Sequence, residues 1–145
     1  MKATKKLFLL SSLFIVTNTF AAELHNFDQV KSVVTTGKSI RISIDFTKCT
    51  PEKNAVTQDT MNLGIFTPNE IIVDSNGRID ASLMHFTLND PNFPDKPIYQ
   101  FVRYTLTSDN NVNLATQLLD ATNYASLKDK VSFDCKIDTG AHIYV

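Results

Sequence analysis

The chain reads as an α+β protein that is mostly β: a curled antiparallel sheet or barrel of about six strands, partly wrapped around one N-terminal helix. Three observations predict this. Apolar residues recur every three or four positions between residues 24 and 36, the spacing of one helix face. From residue 40 onward the apolar spacing switches to two, the period of a strand with one buried face. Cys49 follows the first of those strands and Cys135 lies within a late one, so a bridge between them would tie the ends of the sheet. A sheet of that size with one small helix has two faces to cover, and curling is the economical solution.

The first residues stand apart from that fold. Lys2, Lys5 and Lys6 precede an apolar run from Leu7 to Val16, and Thr19 and Ala21 put small residues at −3 and −1 of a cleavage site. This is the pattern of a secretory signal peptide over residues 1–21, cut after Ala21. The run is short for a membrane span, which needs ~20 apolar residues. No cysteine lies near the cut, so no lipoprotein anchor is expected. Residues 22–145 then form a single domain in the periplasm or outside the cell, an oxidising setting in which two cysteines pair. The whole chain has 14 Lys+Arg against 15 Asp+Glu, and loss of three signal lysines leaves 11 against 15. A mildly acidic domain without a basic cluster argues against nucleic acid, whose binding rests on phosphate neutralisation. No second apolar run is long enough to span a membrane, and a monomer is expected.

The elements follow in order. Leu24, Phe27, Val30 and Val34 share one helix face, and Gly37 stands where a glycine ends a helix. Ile40, Ile42, Ile44 and Phe46 alternate with Arg41, Ser43 and Asp45 in the first strand. A polar loop runs from Pro51 to about Thr60. Short apolar runs at Leu63 to Phe66 and Ile71 to Val73 are separated by Pro68. Asn76-Gly77 predicts a type I′ hairpin turn. After it, Ile79, Ala81 and Leu83 change phase to Met84, Phe86 and Leu88, which predicts a β-bulge or sharp coil at Leu83–Met84. Pro91, Pro94 and Pro97 predict a loop over residues 90–97. Ile98 to Leu106, Val112 to Leu118 and Val131 to Ile137 are further strands, with a turn at Asp109 to Asn111, and residues 141–145 form a short terminal strand.

The chemical motifs point away from catalysis. Asp138-Thr139-Gly140-Ala141 has the look of an aspartic-protease turn, but only five residues follow Gly140, and Asp and Gly are ordinary turn residues. Asp74-Ser75-Asn76-Gly77 with Asp80 hints at a calcium loop, yet its glycine falls at position four instead of six. His25, His85 and His142 form no His-x-His or HExxH pattern, there is no GxSxG elbow, and surface or rim positions are expected for all three. A zinc site from Cys49, Cys135 and His142 competes with a Cys49–Cys135 disulfide, and the disulfide is expected in an exported chain. No catalytic residue, metal or cofactor is therefore expected. On the strand from Ile98, Tyr99, Phe101 and Arg103 lie on one face and Ile98, Val102, Tyr104 and Leu106 on the other. That is either a ligand or partner surface or a central strand covered on both sides, and the covered strand is expected.

Several short pieces together carry a family resemblance. They are Thr36-Gly37-Lys38-Ser39 leading to Lys48-Cys49-Thr50; His85-Phe86-Thr87; Phe101-Val102-Arg103-Tyr104 with Asp109-Asn110-Asn111; and Ser132-Phe133-Asp134-Cys135 followed by Gly140-Ala141. In these pieces and their order the chain resembles the VirK family over most of residues 30–145. The resemblance implies an exported, virulence-associated protein with no assigned catalytic activity and a β-barrel-like sheet around a helix. Two functions fit: a non-enzymatic accessory protein acting through an unknown protein partner, or a small carrier holding an apolar ligand inside the curled sheet.

Overall fold

The computed structural model describes residues 21–52 and 62–145; the predicted signal peptide, up to residue 20, and most of the predicted polar loop lie outside the described residues. The chain runs β1 (Glu23–Leu24), α1 (Phe27–Val34), β2 (Arg41–Asp45), a 3₁₀ turn (Phe46–Lys48), β3 (Thr50–Pro51), β4 (Leu63–Phe66) and β5 (Glu70–Val73). It continues through β6 (Ile79–Asp90), β7 (Phe93–Leu106), β8 (Asn111–Asp120), β9 (Val131–Lys136) and β10 (Ala141–Tyr144). The expected mostly-β architecture with one helix is present, but as two antiparallel sheets that do not close into a barrel. The smaller has the order β1-β10-β2-β4 and the larger β3-β9-β8-β7-β6-β5. The strands are divided between two sheets that share a core.

That core explains the alternation in the sequence. Ile40, Ile42 and Ile44 from the small sheet, Ile79, Tyr104, Leu106, Val112 and Leu114 from the large sheet, and Phe27 and Val30 from α1 are buried in one cluster. Burial of such side chains is worth about 1.5–3 kcal/mol each. The helix is shorter than its periodicity predicts. Leu24 belongs to β1, where it pairs with Ile143, and Asn26 caps the helix by accepting from the Gln29 N–H at 3.0 Å. The Asn110 side chain accepts from the Phe27 N–H at 2.8 Å, which fastens the helix start to the β7–β8 turn.

Three local expectations are corrected. The hairpin at Asp74–Arg78 is present, but only Gly77 has positive φ, at 83°. The Gly77 N–H donates to the Asp74 carbonyl and the Asp74 N–H to the Arg78 carbonyl, so a type I turn with a glycine bulge replaces the type I′ turn. No bulge interrupts Leu83–Met84: β6 pairs with β7 in unbroken register from Ile79 to Thr87, and the shift lies between Thr87 and Asn89. The change of phase is real, but β6 runs on past the core, so its later apolar residues simply point outward. The prolines do not exclude pairing either. Pro94 pairs with Asn89, while β8 meets β7 only from Ile98 onward, so the proline-bearing stretch has a partner on one side.

The disulfide is formed. Cys49 and Cys135 are bonded with Cα atoms 4.5 Å apart, 86 positions apart in sequence. Cys49 immediately precedes β3, and Thr50 of β3 pairs with Asp134 of β9, so the bond staples the β3–β9 edge of the large sheet where the chain arrives from the small one. It excludes the zinc set drawn from the same sulfurs.

Candidate functional site

The strand alternation puts Asp80, Ser82, Met84 and Phe86 of β6 on the outer face of the large sheet, opposite the core. In register beside them on β7 are Thr105, Arg103, Phe101 and Tyr99. The core covers the inner face only, and this outer face is open among the described residues. On that outer face Arg103 is exposed and Tyr99 and Phe101 are half-buried, so among the described residues the strand is fully covered on its inner face only. Met84, Phe86, Leu88 and Tyr124 are 56%, 50%, 54% and 65% exposed, well above what an interior side chain shows. Their rings are ordered on one another: Phe86 meets Tyr99 edge-on at 5.6 Å, and Tyr99 stacks on Tyr124 at 5.9 Å with the planes 2° apart. The result is an apolar strip across the end of the β6–β7 hairpin, held flat by cross-strand pairs.

Phe101 links this strip to a groove. A space of about 380 Å³ opens on the same face, lined by Glu70, Ile72, Arg78, Asp80, Phe101 and Arg103 among others. Asp80 accepts from the Arg78 guanidinium at 2.7 and 2.9 Å and from the Thr105 hydroxyl at 2.9 Å, which satisfies both its oxygens. Among the described residues Glu70 and Arg103 have no ion-pair partner within 4 Å. Among the described residues the groove thus sets an unpaired cation and an unpaired anion beside an aromatic strip.

The remaining sequence-predicted positions scatter. His85 alternates with Met84 and lies on the opposite face of β6 from the groove, still exposed. Asp138 sits in the β9–β10 turn with φ 67°, confirming the turn reading of Asp138-Thr139-Gly140. Gly140 is explained by packing: a Cβ there would lie 2.8 Å from the Cys49 sulfur. Asp74, the first residue of the calcium-like segment, spends one carboxylate oxygen on the N–H groups of Asn76 and Arg78, the work of a turn residue.

A second cluster was hidden from sequence reasoning. Glu23 on β1 and His142 on β10 lie on the outer face of the small sheet, and Glu23 Oε1 is 2.7 Å from His142 Nδ1. His25 Nδ1 is 3.0 Å from Asp138 Oδ1. Donor atoms of Glu23, Asp138 and His142 all lie within 4.8 Å of one another. The Tyr144 phenol beside them is pushed up by burial and by the Glu23 carboxylate. Reading Leu24 as helical concealed the Glu-x-His spacing of Glu23 and His25, the one signal that pointed here.

Fold and surface together define a small two-sheet β protein, stapled by a disulfide and carrying an open aromatic face. The family model described as VirK protein matches residues 23–124, more than half of the chain. The chain belongs to the VirK family. It is similar to the solved lpg1832, a VirK family protein from Legionella pneumophila, with a TM-score of 0.72 and 28% identity over 85% of this chain and 98% of that one. Two uncharacterized proteins are also similar. One, in the pinF2 3′ region of Rhizobium radiobacter, is 24% identical over 91% of both chains. The other, y4wH of Sinorhizobium fredii, is 24% identical over 94% of this chain and 93% of its own.

Proposed function

We propose that the protein is an exported, non-enzymatic accessory factor that supports virulence by docking a protein partner on the outer face of its large sheet. The observation that carries this reading is the strip of Met84, Phe86, Tyr99 and Tyr124, ordered ring on ring and left uncovered by the core. Aromatic anchors beside a few free charges are the composition of interface hot spots. The disulfide supports residence in an oxidising compartment, periplasmic or secreted, and agrees with the signal-peptide reading of residues 1–21. His85, Arg103 and Asp138, three titratable side chains that an enzyme would have to bring together, sit on different faces or elements, which supports a binding role.

The carrier reading has less support. Fully buried isoleucine, leucine and tyrosine side chains occupy the space between the sheets, and the groove opens outward with charged side chains on its wall. That groove does not suit an apolar ligand. The test is a photo-crosslinking residue placed at Phe86, with a control at Arg41 on the other sheet, in the exporting cell. The reading expects one dominant protein adduct at position 86 that disappears with Tyr99→Asp. Equal adduct patterns at both positions would contradict it.

A further inference from the structure

We infer that Glu23, Asp138 and His142, completed by His25, form a binding site for a divalent transition metal of the zinc type that clamps β1 to β10. The four residues come from three places in the chain, yet two imidazole–carboxylate pairs meet side by side, at 2.7 and 3.0 Å. Strand alternation explains the convergence. Glu23 and His25 are two apart at β1, and Glu23 pairs in register with Tyr144, so His142 is its diagonal neighbour on the same face. The turn that sets Asp138 at φ 67° brings its carboxylate to the open side of the pair.

The chemistry selects the ligand class. Two imidazoles and two carboxylates are the donor set of zinc and its neighbours, whereas calcium and magnesium favour all-oxygen sets. With neutral imidazoles the cluster carries two negative charges, and among the described residues no Lys or Arg comes within 4 Å of either carboxylate. A divalent cation balances that charge. Donor atoms around tetrahedral zinc lie about 3.4 Å apart, so small side-chain rotations close the Glu23, Asp138 and His142 donors, already within 4.8 Å of one another, and His25 joins them from its place 3.0 Å from Asp138. All four side chains are at least partly exposed, at 57%, 44%, 32% and 33% for His25, Asp138, His142 and Glu23, so an ion has a path in.

The experiment titrates Zn²⁺ into untagged, chelator-treated protein purified after expression of the full chain. One ion per chain should bind, and Asp138→Asn and His142→Gln should each weaken binding at least tenfold, with Ca²⁺ and Mg²⁺ not competing. A second measurement uses the unmodified protein: carbethoxylation of histidines read by mass spectrometry. Zn²⁺ should shield His25 and His142 and leave His85 reactive. Absence of Zn²⁺ binding, variants that bind as the parent does, or shielding that includes His85 equally would each overturn the site and leave two simple ion pairs.

Discussion

At Tyr104 the fold buries a phenol beside Phe66, with ring centroids 5.8 Å apart, and among the described residues its hydroxyl has no hydrogen-bond partner. Burial pushes that phenol far up from its ordinary value. An unpaired buried hydroxyl costs about 1–3 kcal/mol. Tyr104→Phe should therefore leave stability unchanged or raise it, by up to about 1 kcal/mol, as read by denaturant unfolding. Gly140 has the opposite sensitivity. A methyl group there meets the Cys49 sulfur at 2.8 Å and the Lys48 carbonyl at 3.2 Å, so Gly140→Ala should destabilise by about 1–3 kcal/mol. Thermal unfolding of that variant with the disulfide reduced and oxidised would show the loss in the oxidised form. At this scale the sequence was a partial guide: it identified Gly140 as a turn residue, but only the packed disulfide explains why the residue must lack a side chain.

Among the elements, the shifted carboxyls stand at strand ends, as Asp45, Asp90 and Asp120 do, or in a turn, as Asp109 does, rather than in strand interiors. Hydrogen bonds from Thr107, then Lys136, bring the Asp109 carboxyl down to about 2. Lys96, then Thr122, hold the Asp120 carboxyl well below the usual range. Burial alone would raise the Asp90 carboxyl, but hydrogen bonds from Asn92 and Gln100 outweigh it and leave it lowered. A carboxyl with a lowered folded value contributes stability that is complete above about pH 4 and is lost as pH falls through the folded value. Melting temperature should therefore fall between about pH 4 and pH 2, and amide exchange should rise first in the β6–β7 and β8 ends where Asp90 and Asp120 lie. A melting temperature constant down to pH 2 would contradict this. The strands themselves were legible because period two is enforced wherever one face meets the core. Where β6 outruns the core that rule ends, and the outward Met84, Phe86 and Leu88 read as a bulge that does not exist.

For the whole molecule, the Cys49–Cys135 bond closes a loop of 86 positions beside the β3–β9 pair. Loop entropy alone gives such a closure ~4–5 kcal/mol. Cys49→Ser or Cys135→Ser should lower the melting temperature markedly, and a double Cys→Ser variant should resemble either single one. The pairing was expected from the sequence, which has two cysteines and a signal-peptide-like N-terminus. The division into two sheets was not, because the registers that assign β10 and β4 to β2 join residues far apart in the chain. The open outer face was likewise hidden, since alternation marks two faces but does not say which is covered.

The account rests most heavily on that face being the working surface. Its most direct test is a Phe86→Asp/Tyr99→Asp variant in a strain lacking the native gene. The variant should accumulate, form its disulfide and melt within a few degrees of the parent, yet fail to restore the virulence that the proposed docking supports. Full restoration by the folded double variant would contradict it.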